Sequence, residues 1–231
     1  MRTALQNALY ETYPTLFRHR ALPLTESGMG RGFECGDGWF GILDGLCAAL
    51  AVRDKQVGHP SLAANQVKEE AGDLRFHING ECKWCWGAIE FASAISRFVC
   101  AETGRPGVLM VKRRWLRTLA EDVGHTNGYQ LAATDEYFPI QRSPISVEDV
   151  LPPGWGSIAS AMRSIIPNEG LTVSFRFSRF DNSLVVETHD KSERLSGAIF
   201  CAIQVAARMG PDSGVMVIPM LDGTGGDRGD G

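Results

Sequence analysis

The sequence predicts an α+β fold in which two α-β-β-α repeats pack as a pseudo-dimer with antiparallel sheet. Three observations carry that expectation. Apolar residues recur at helical spacing twice in each half of the chain. Alternating runs with a turn signal lie between those helices. The first-half pattern then returns in the second half at a nearly constant offset. A chain of 231 residues that is 44% hydrophobic and 22% charged can bury a core without disulfide or metal staples. One α-β-β-α unit has little core of its own, so two must close one together.

The elements follow in order. Residues 4–17 suggest a short helix that ends at Pro14, where the ring removes a donor and clashes with the preceding turn. Residues 25–38 read as a Gly-rich loop. A helix is expected over 39–52, with Trp39, Ile42, Leu43, Leu46 and Leu50 on one stripe and Asp37 placed to cap it. After a linker at His59-Pro60 comes a hairpin with strands at 65–69 and 74–78 and a turn near Ala71-Gly72-Asp73. A helix over 82–99 buries Trp84, Cys85, Ala88, Phe91, Ala92, Ile95, Phe98 and Val99.

The second half repeats this plan. Gly154-Trp155, Ile158, Met162 and Ile166 mirror Gly38-Trp39, Ile42, Leu46 and Leu50 at an offset of 116. Leu171, Val173, Phe175 and Phe177 alternate inward, Asp181-Asn182 turn, and Leu184-Val185-Val186 return. Leu184, Gly197-Ala198-Ile199, Ala202 and Gly214 match Leu74, Gly87-Ala88-Ile89, Ala92 and Gly104 at an offset of 110. The expected organisation is a first unit over 1–129, a linker over 130–153, a second unit over 154–220 and a flexible tail over 221–231.

The net charge of −4 disfavours general nucleic-acid binding, which rests on a basic surface. The basic run Lys112, Arg113, Arg114 and Arg117 reads as a solvated loop or helix face, with a nucleic-acid-binding regulator as the alternative. The six cysteines lack the spacing of a secreted scaffold, and Met1 to Arg20 contains no apolar signal core. These features point to a reducing cytoplasm, free thiols and no membrane segment.

Three blocks carry a resemblance: Tyr13-Pro14-x-Leu16-Phe17 with Leu22-Pro23-Leu24-Thr25-Glu26; Phe33-Glu34-Cys35-Gly36-Asp37-Gly38-Trp39-Phe40; and Gln66-Val67-Lys68-Glu69 with Leu74-Arg75-Phe76. Over residues 10–119 the chain resembles a family of small phage and prophage proteins of unknown function. That family often ends in a zinc-ribbon-like piece. Cys100, Gly104, Pro106, Gly107, Trp115, Thr118 and Leu119 keep its outline, but Thr103 and Ala120 stand where two of its cysteines belong. A tetrahedral site needs about four ligands, so no metal is expected there. The resemblance implies a phage accessory protein and transfers no chemistry.

Candidate chemistry is sparse. Cys82-Lys83-Trp84-Cys85 opens a helix, as a redox pair does, but outside the βαβ context such a pair favours. Zinc held by Cys82, Cys85, Cys100 and His77 is conceivable, but the spacing does not fix a ligand set. Gly28-Met29-Gly30-Arg31-Gly32 lacks the Lys-Ser/Thr of a phosphate loop. Glu34, Asp37 and Asp44 read as capping or solvated carboxylates, and no nucleophile–base pair emerges. The strongest cluster is Gln66, Lys68, Arg75 and His77, which alternation places on one sheet face. Paired cations repel unless an anion lies between them, so this face is a candidate anion site unless Glu69 or Glu70 neutralises it. Asp37 and Trp39 complete the candidate ligand-binding set.

The expected function is non-enzymatic binding: a phage protein that counters host defence by sequestering a small anionic nucleotide or binding a defence protein, without cofactor. The alternatives are a thiol redox enzyme using Cys82 and Cys85, and a nucleotide hydrolase. A homo-oligomer stays open.

Overall fold

The computed structural model describes residues 1–57, 62–80, 82–133, 151–165, 173–178, 183–188 and 192–220. The architecture is α+β. Its elements are α1 (Thr3–Thr12), β1 (Phe33–Glu34), α2 (Phe40–Val57), β2 (Ala63–Glu70), β3 (Asp73–Asn79), α3 (Lys83–Ser96), β4 (Val108–Lys112), β5 (Trp115–Leu119), α4 (Glu121–Thr126), β6 (Gln130–Leu131), α5 (Gly156–Ile165), β7 (Val173–Ser178), β8 (Ser183–Thr188) and α6 (Glu193–Ala206). The strands form three small sheets, ordered β1-β2-β3, β5-β4-β6 and β7-β8. The expected tail, the Asp181-Asn182 turn, most of the linker and the inward set of β7 fall outside the described residues or side chains.

The first hairpin matches its alternation. Gln66 faces His77, Val67 faces Phe76 and Lys68 faces Arg75 across an antiparallel pair. Its two-residue turn has positive φ at both Ala71 (53°) and Gly72 (84°). That is the twist-matched turn that closes tight hairpins. Helix α2 runs past the expected end at 52, because Arg53, Lys55 and Gln56 are good helix formers that extend it beyond the apolar stripe. Helix α3 is shorter than 82–99. Cys82 is its N-cap, and Val99 leaves the helix to bridge Pro106.

Strands β1, β4, β5 and β6 and helix α4 were not anticipated. The short strand β1 lies parallel to β2, pairing Phe33 with Val67. The basic run is the solvated loop in part: exposed Arg113 and Arg114 make the turn of a hairpin, whereas Lys112 ends β4 and Arg117 lies within β5. Arg113 takes φ 59° in that turn. Strands β4, β5 and β6 form a small sheet of their own. An apolar cluster of Cys100, Met110, Leu119 and Ala120, flanked by Val123 and Tyr129, fills its interior.

One core joins the rest, with Trp39, Ile42, Leu43, Leu46, Phe91, Ile95, Trp155, Ile158, Met162, Ala198 and Val205 buried in a single cluster. Helices α3 and α6 cross closely enough to demand glycine on both sides. A Cβ on Gly87 would sit 1.8 Å from the Arg194 carbonyl oxygen, and one on Gly197 would sit 1.8 Å from that of Trp84. Indole hydrogen bonds anchor both α2 and α5. Trp39 Nε1 donates to the Val99 carbonyl (2.8 Å) and Trp155 Nε1 to that of Met209 (3.0 Å). Each acceptor belongs to a tight knuckle, closed by the Val99–Pro106 bridge in one half and Met209–Met216 in the other. The knuckles meet where the Met216 amide donates to the Gly104 carbonyl (2.8 Å).

Candidate functional site

Strand β3 is an edge of its sheet, and the chain builds a cleft against it. The floor is apolar, from Leu74, Phe76, Ile89 and Ala94, and the walls come from β3, α3, the end of α5 and the first turn of α6. The cavity is about 500 Å³. Arg75, Arg97 and Arg194 all line it, with His77, Glu90, Ser93 and Ser164. Two expected residues, Arg75 and His77, therefore belong to a concave site. Their face partners Gln66 and Lys68 sit across the hairpin from them.

Each cation has a carboxylate nearby. Arg97 makes a bidentate pair with the fully buried Asp73 (2.9 and 2.8 Å). Arg75 approaches the same carboxylate more loosely at 3.4 Å and Glu70 at 3.8 Å. Lys68 lies 3.5 Å from Glu70. Glu70 thus supplies the anion between Lys68 and Arg75, and their proximity does not by itself require a ligand. Glu69 does not share that task. It pairs with Arg117, which also meets Glu102. Burial works against the Arg117 charge, but those carboxylates outweigh it and raise the guanidinium pKa. Arg194 is likewise raised, first by its hydrogen bonds to Glu90 (2.7 and 2.6 Å).

Arg75 lines the cleft with long ion pairs only, and 40% of its side-chain surface is exposed. A guanidinium so placed can accept a phosphate or carboxylate through two parallel bonds. Arg97 and Arg194, missed in the sequence, reach the cleft from the end of α3 and the start of α6, each already paired with a carboxylate, Asp73 and Glu90. Arg97 is the C-cap of α3, one turn past Ser93. Arg194 is distant in sequence, and only aligning the two halves places it opposite α3.

The remaining expected residues are not at the cleft. Asp37 pairs with Arg2 and accepts the Arg2 amide (2.7 Å), tying down the N-terminus instead of capping α2. Trp39 is fully buried and anchors Val99, so its role is packing. In the Gly-rich loop, Ser27 caps a short turn over 28–31 that packs against β2, where a Cβ on Gly28 would meet Gln66. Asp44 is spoken for by Tyr13 (2.6 Å) and Arg208. Among the described residues no three His, Cys, Asp or Glu side chains converge as a metal site, and no helix is long and apolar enough to cross a membrane.

The thiols divide into two groups. Cys82 and Cys85 are not free, as the sequence suggested, but disulfide-bonded, with Cα atoms 5.1 Å apart. The turn at a helix N-cap brings residues three apart within bridging range. Cys35, Cys47, Cys100 and Cys201 are free and buried. Burial pushes the Cys35 thiol from 9.0 up to about 12 and moves Cys47 and Cys201 in the same direction. A raised thiol favours the folded state fully below its unfolded pKa, and that contribution is lost as pH climbs through the folded value. Unfolding free energy from urea titrations should therefore fall between pH 9 and 12. Cys35→Ala should make that fall shallower; an unchanged slope would mean the thiol is not held in the protonated form.

No family model matches the chain, and no curated protein or solved structure matches it either.

Proposed function

We propose that the chain is a non-enzymatic binding protein, two α-β-β-α units in a pseudo-dimer, that holds a small anionic ligand of the nucleotide type in the cleft beside β3. The observation that carries this is the convergence of Arg75, Arg97 and Arg194 on one 500 Å³ cavity with an apolar floor. Guanidinium forks suit phosphate oxygens, and the floor of Leu74, Phe76, Ile89 and Ala94 suits a flat organic ring. The pseudo-dimer reading is supported by the reciprocal Gly87 and Gly197 contacts and by the paired Trp39 and Trp155 anchors. It also explains the cleft, which needs walls from both halves. In the phage accessory role that the sequence blocks imply, such a protein withholds an anionic signal from a host defence system.

Thermal unfolding with nucleoside mono- and triphosphates and cyclic dinucleotides tests the reading. A ligand at a hundredfold excess over its Kd stabilises by about 2.7 kcal/mol. For a chain of this size that raises Tm by about 5–10 °C, and mass spectrometry should recover the ligand unchanged. Arg75→Ala/Arg194→Ala should abolish the shift while keeping a near-native Tm, because the Arg194–Glu90 pair is exposed and contributes less than about 1 kcal/mol, and Arg97 still pairs the buried Asp73 when Arg75 is gone. A retained shift in that variant, or turnover of the nucleotide, defeats the proposal.

A further inference from the structure

We propose that Cys82 and Cys85 form a reversible thiol–disulfide exchange site at the start of α3, with Cys82 open to attack and Cys85 as its buried partner. The cysteines do not line the cleft, so this does not rest on the ligand-binding reading. The sulfurs are bonded across the first turn of a 14-residue helix. Cys82 is partly exposed, whereas Cys85 is buried in the main core.

The other half of the chain shows that these positions do not need sulfur. Ser192 is the N-cap of α6, and its Oγ accepts the Leu195 amide at 3.3 Å. Cys82 occupies the same place on α3, and its Sγ accepts the Cys85 amide at 3.2 Å. A hydroxyl cap and a leucine serve the fold at one helix start. The paired cysteines at the other add a chemistry that capping does not require.

The surroundings favour a thiolate at Cys82. The Cys85 amide in the first turn of α3 donates to its sulfur, and a helix N-terminus stabilises negative charge. Exposed Lys83 follows it, and the Arg53 guanidinium lies over the adjacent Trp84 ring at 5.7 Å. Exchange with a dithiol runs in two steps. A dithiol thiolate attacks Cys82 Sγ, the Cys82–Cys85 bond breaks, and its electron pair leaves on Cys85, which takes a proton. The second dithiol sulfur then attacks the first, and Cys82 departs as a thiolate. The protein gains two electrons, the dithiol becomes a disulfide, and the remaining proton passes to solvent.

The test is to equilibrate the full chain at neutral pH in glutathione buffers of graded reduced-to-oxidised ratio, then alkylate and weigh it. The expected result is that two thiols appear and disappear together, reversibly, while the four buried cysteines stay unlabelled without denaturant. Cys85→Ser should take up one glutathione from glutathione disulfide, and Cys82→Ser, which recreates the Ser192-type cap, should take up none. Circular dichroism checks that each variant is folded, with Cys85→Ala replacing Cys85→Ser where it is not. A pair that opens only on unfolding, or equal glutathione uptake by the two single variants, overturns the proposal.

Discussion

Gly197→Ala is expected to destabilise the protein by about 3 kcal/mol or more, the upper end of what overpacking a core costs. The added methyl would lie 1.8 Å from the Trp84 carbonyl oxygen. That neighbour is helix backbone, which cannot turn aside as a flexible side chain can. Helices α3 and α6 would have to separate, opening the seam where Ala88, Phe91, Ala198 and Ala202 are buried. Gly87→Ala meets the Arg194 carbonyl at the same distance and should cost a similar amount. Gly156→Ala is the matched control. Its Cβ would meet nothing within 4 Å, and its φ of −55° suits alanine. It should stabilise by about 0.4–1 kcal/mol through the unfolded chain. Urea midpoints measure all three, and a wild-type midpoint in Gly197→Ala would show that the helices do not cross this closely.

That crossing shows how far the sequence could be read. The helix–hairpin–helix order was legible because periods of 3.6 and 2 are local properties. Gly87 and Gly197 were visible as a matched pair, yet nothing local said that each lies against the other half's helix. The hairpin face was legible for the same reason as the strands: alternation fixes which side Gln66, Lys68, Arg75 and His77 take. Its charge balance was half legible. Glu70 neutralises the face as its position in the turn suggests, whereas Glu69 turns to Arg117 across the β4–β5 hairpin. That hairpin itself was missed, because the basic residues at its tip mask two five-residue strands and its interior is a small cluster beside Cys100. The cleft was not legible at all. Arg75 and Arg97 share Asp73 within the first half, but Arg194 joins them only because the two halves pack, and packing between segments a hundred residues apart leaves no short-range trace.

Trp39→Ala should cost about 3–5 kcal/mol, as truncating a buried aromatic does. The ring is fully buried, so its loss leaves a void that backbone on several sides cannot collapse into. The substitution also strips the Val99 carbonyl of its indole donor at 2.8 Å. Trp39→Phe separates the two losses. It keeps most of the volume and removes the donor, leaving a buried acceptor unpaired at about 1–3 kcal/mol. Trp155→Ala removes the equivalent anchor to Met209 and should cost a similar amount. The knuckles that receive the two indoles are joined through Met216 and Gly104, and both rings belong to one core cluster. Damage in either half should therefore lower the midpoint of a single cooperative transition. Urea unfolding followed by far-ultraviolet circular dichroism and by tryptophan fluorescence checks this, since two-state unfolding makes the probes coincide. Were Trp155→Ala to split the transition, leaving one half folded at the wild-type midpoint, the two halves would be separate domains, and the shared walls of the cleft would not hold as a single site.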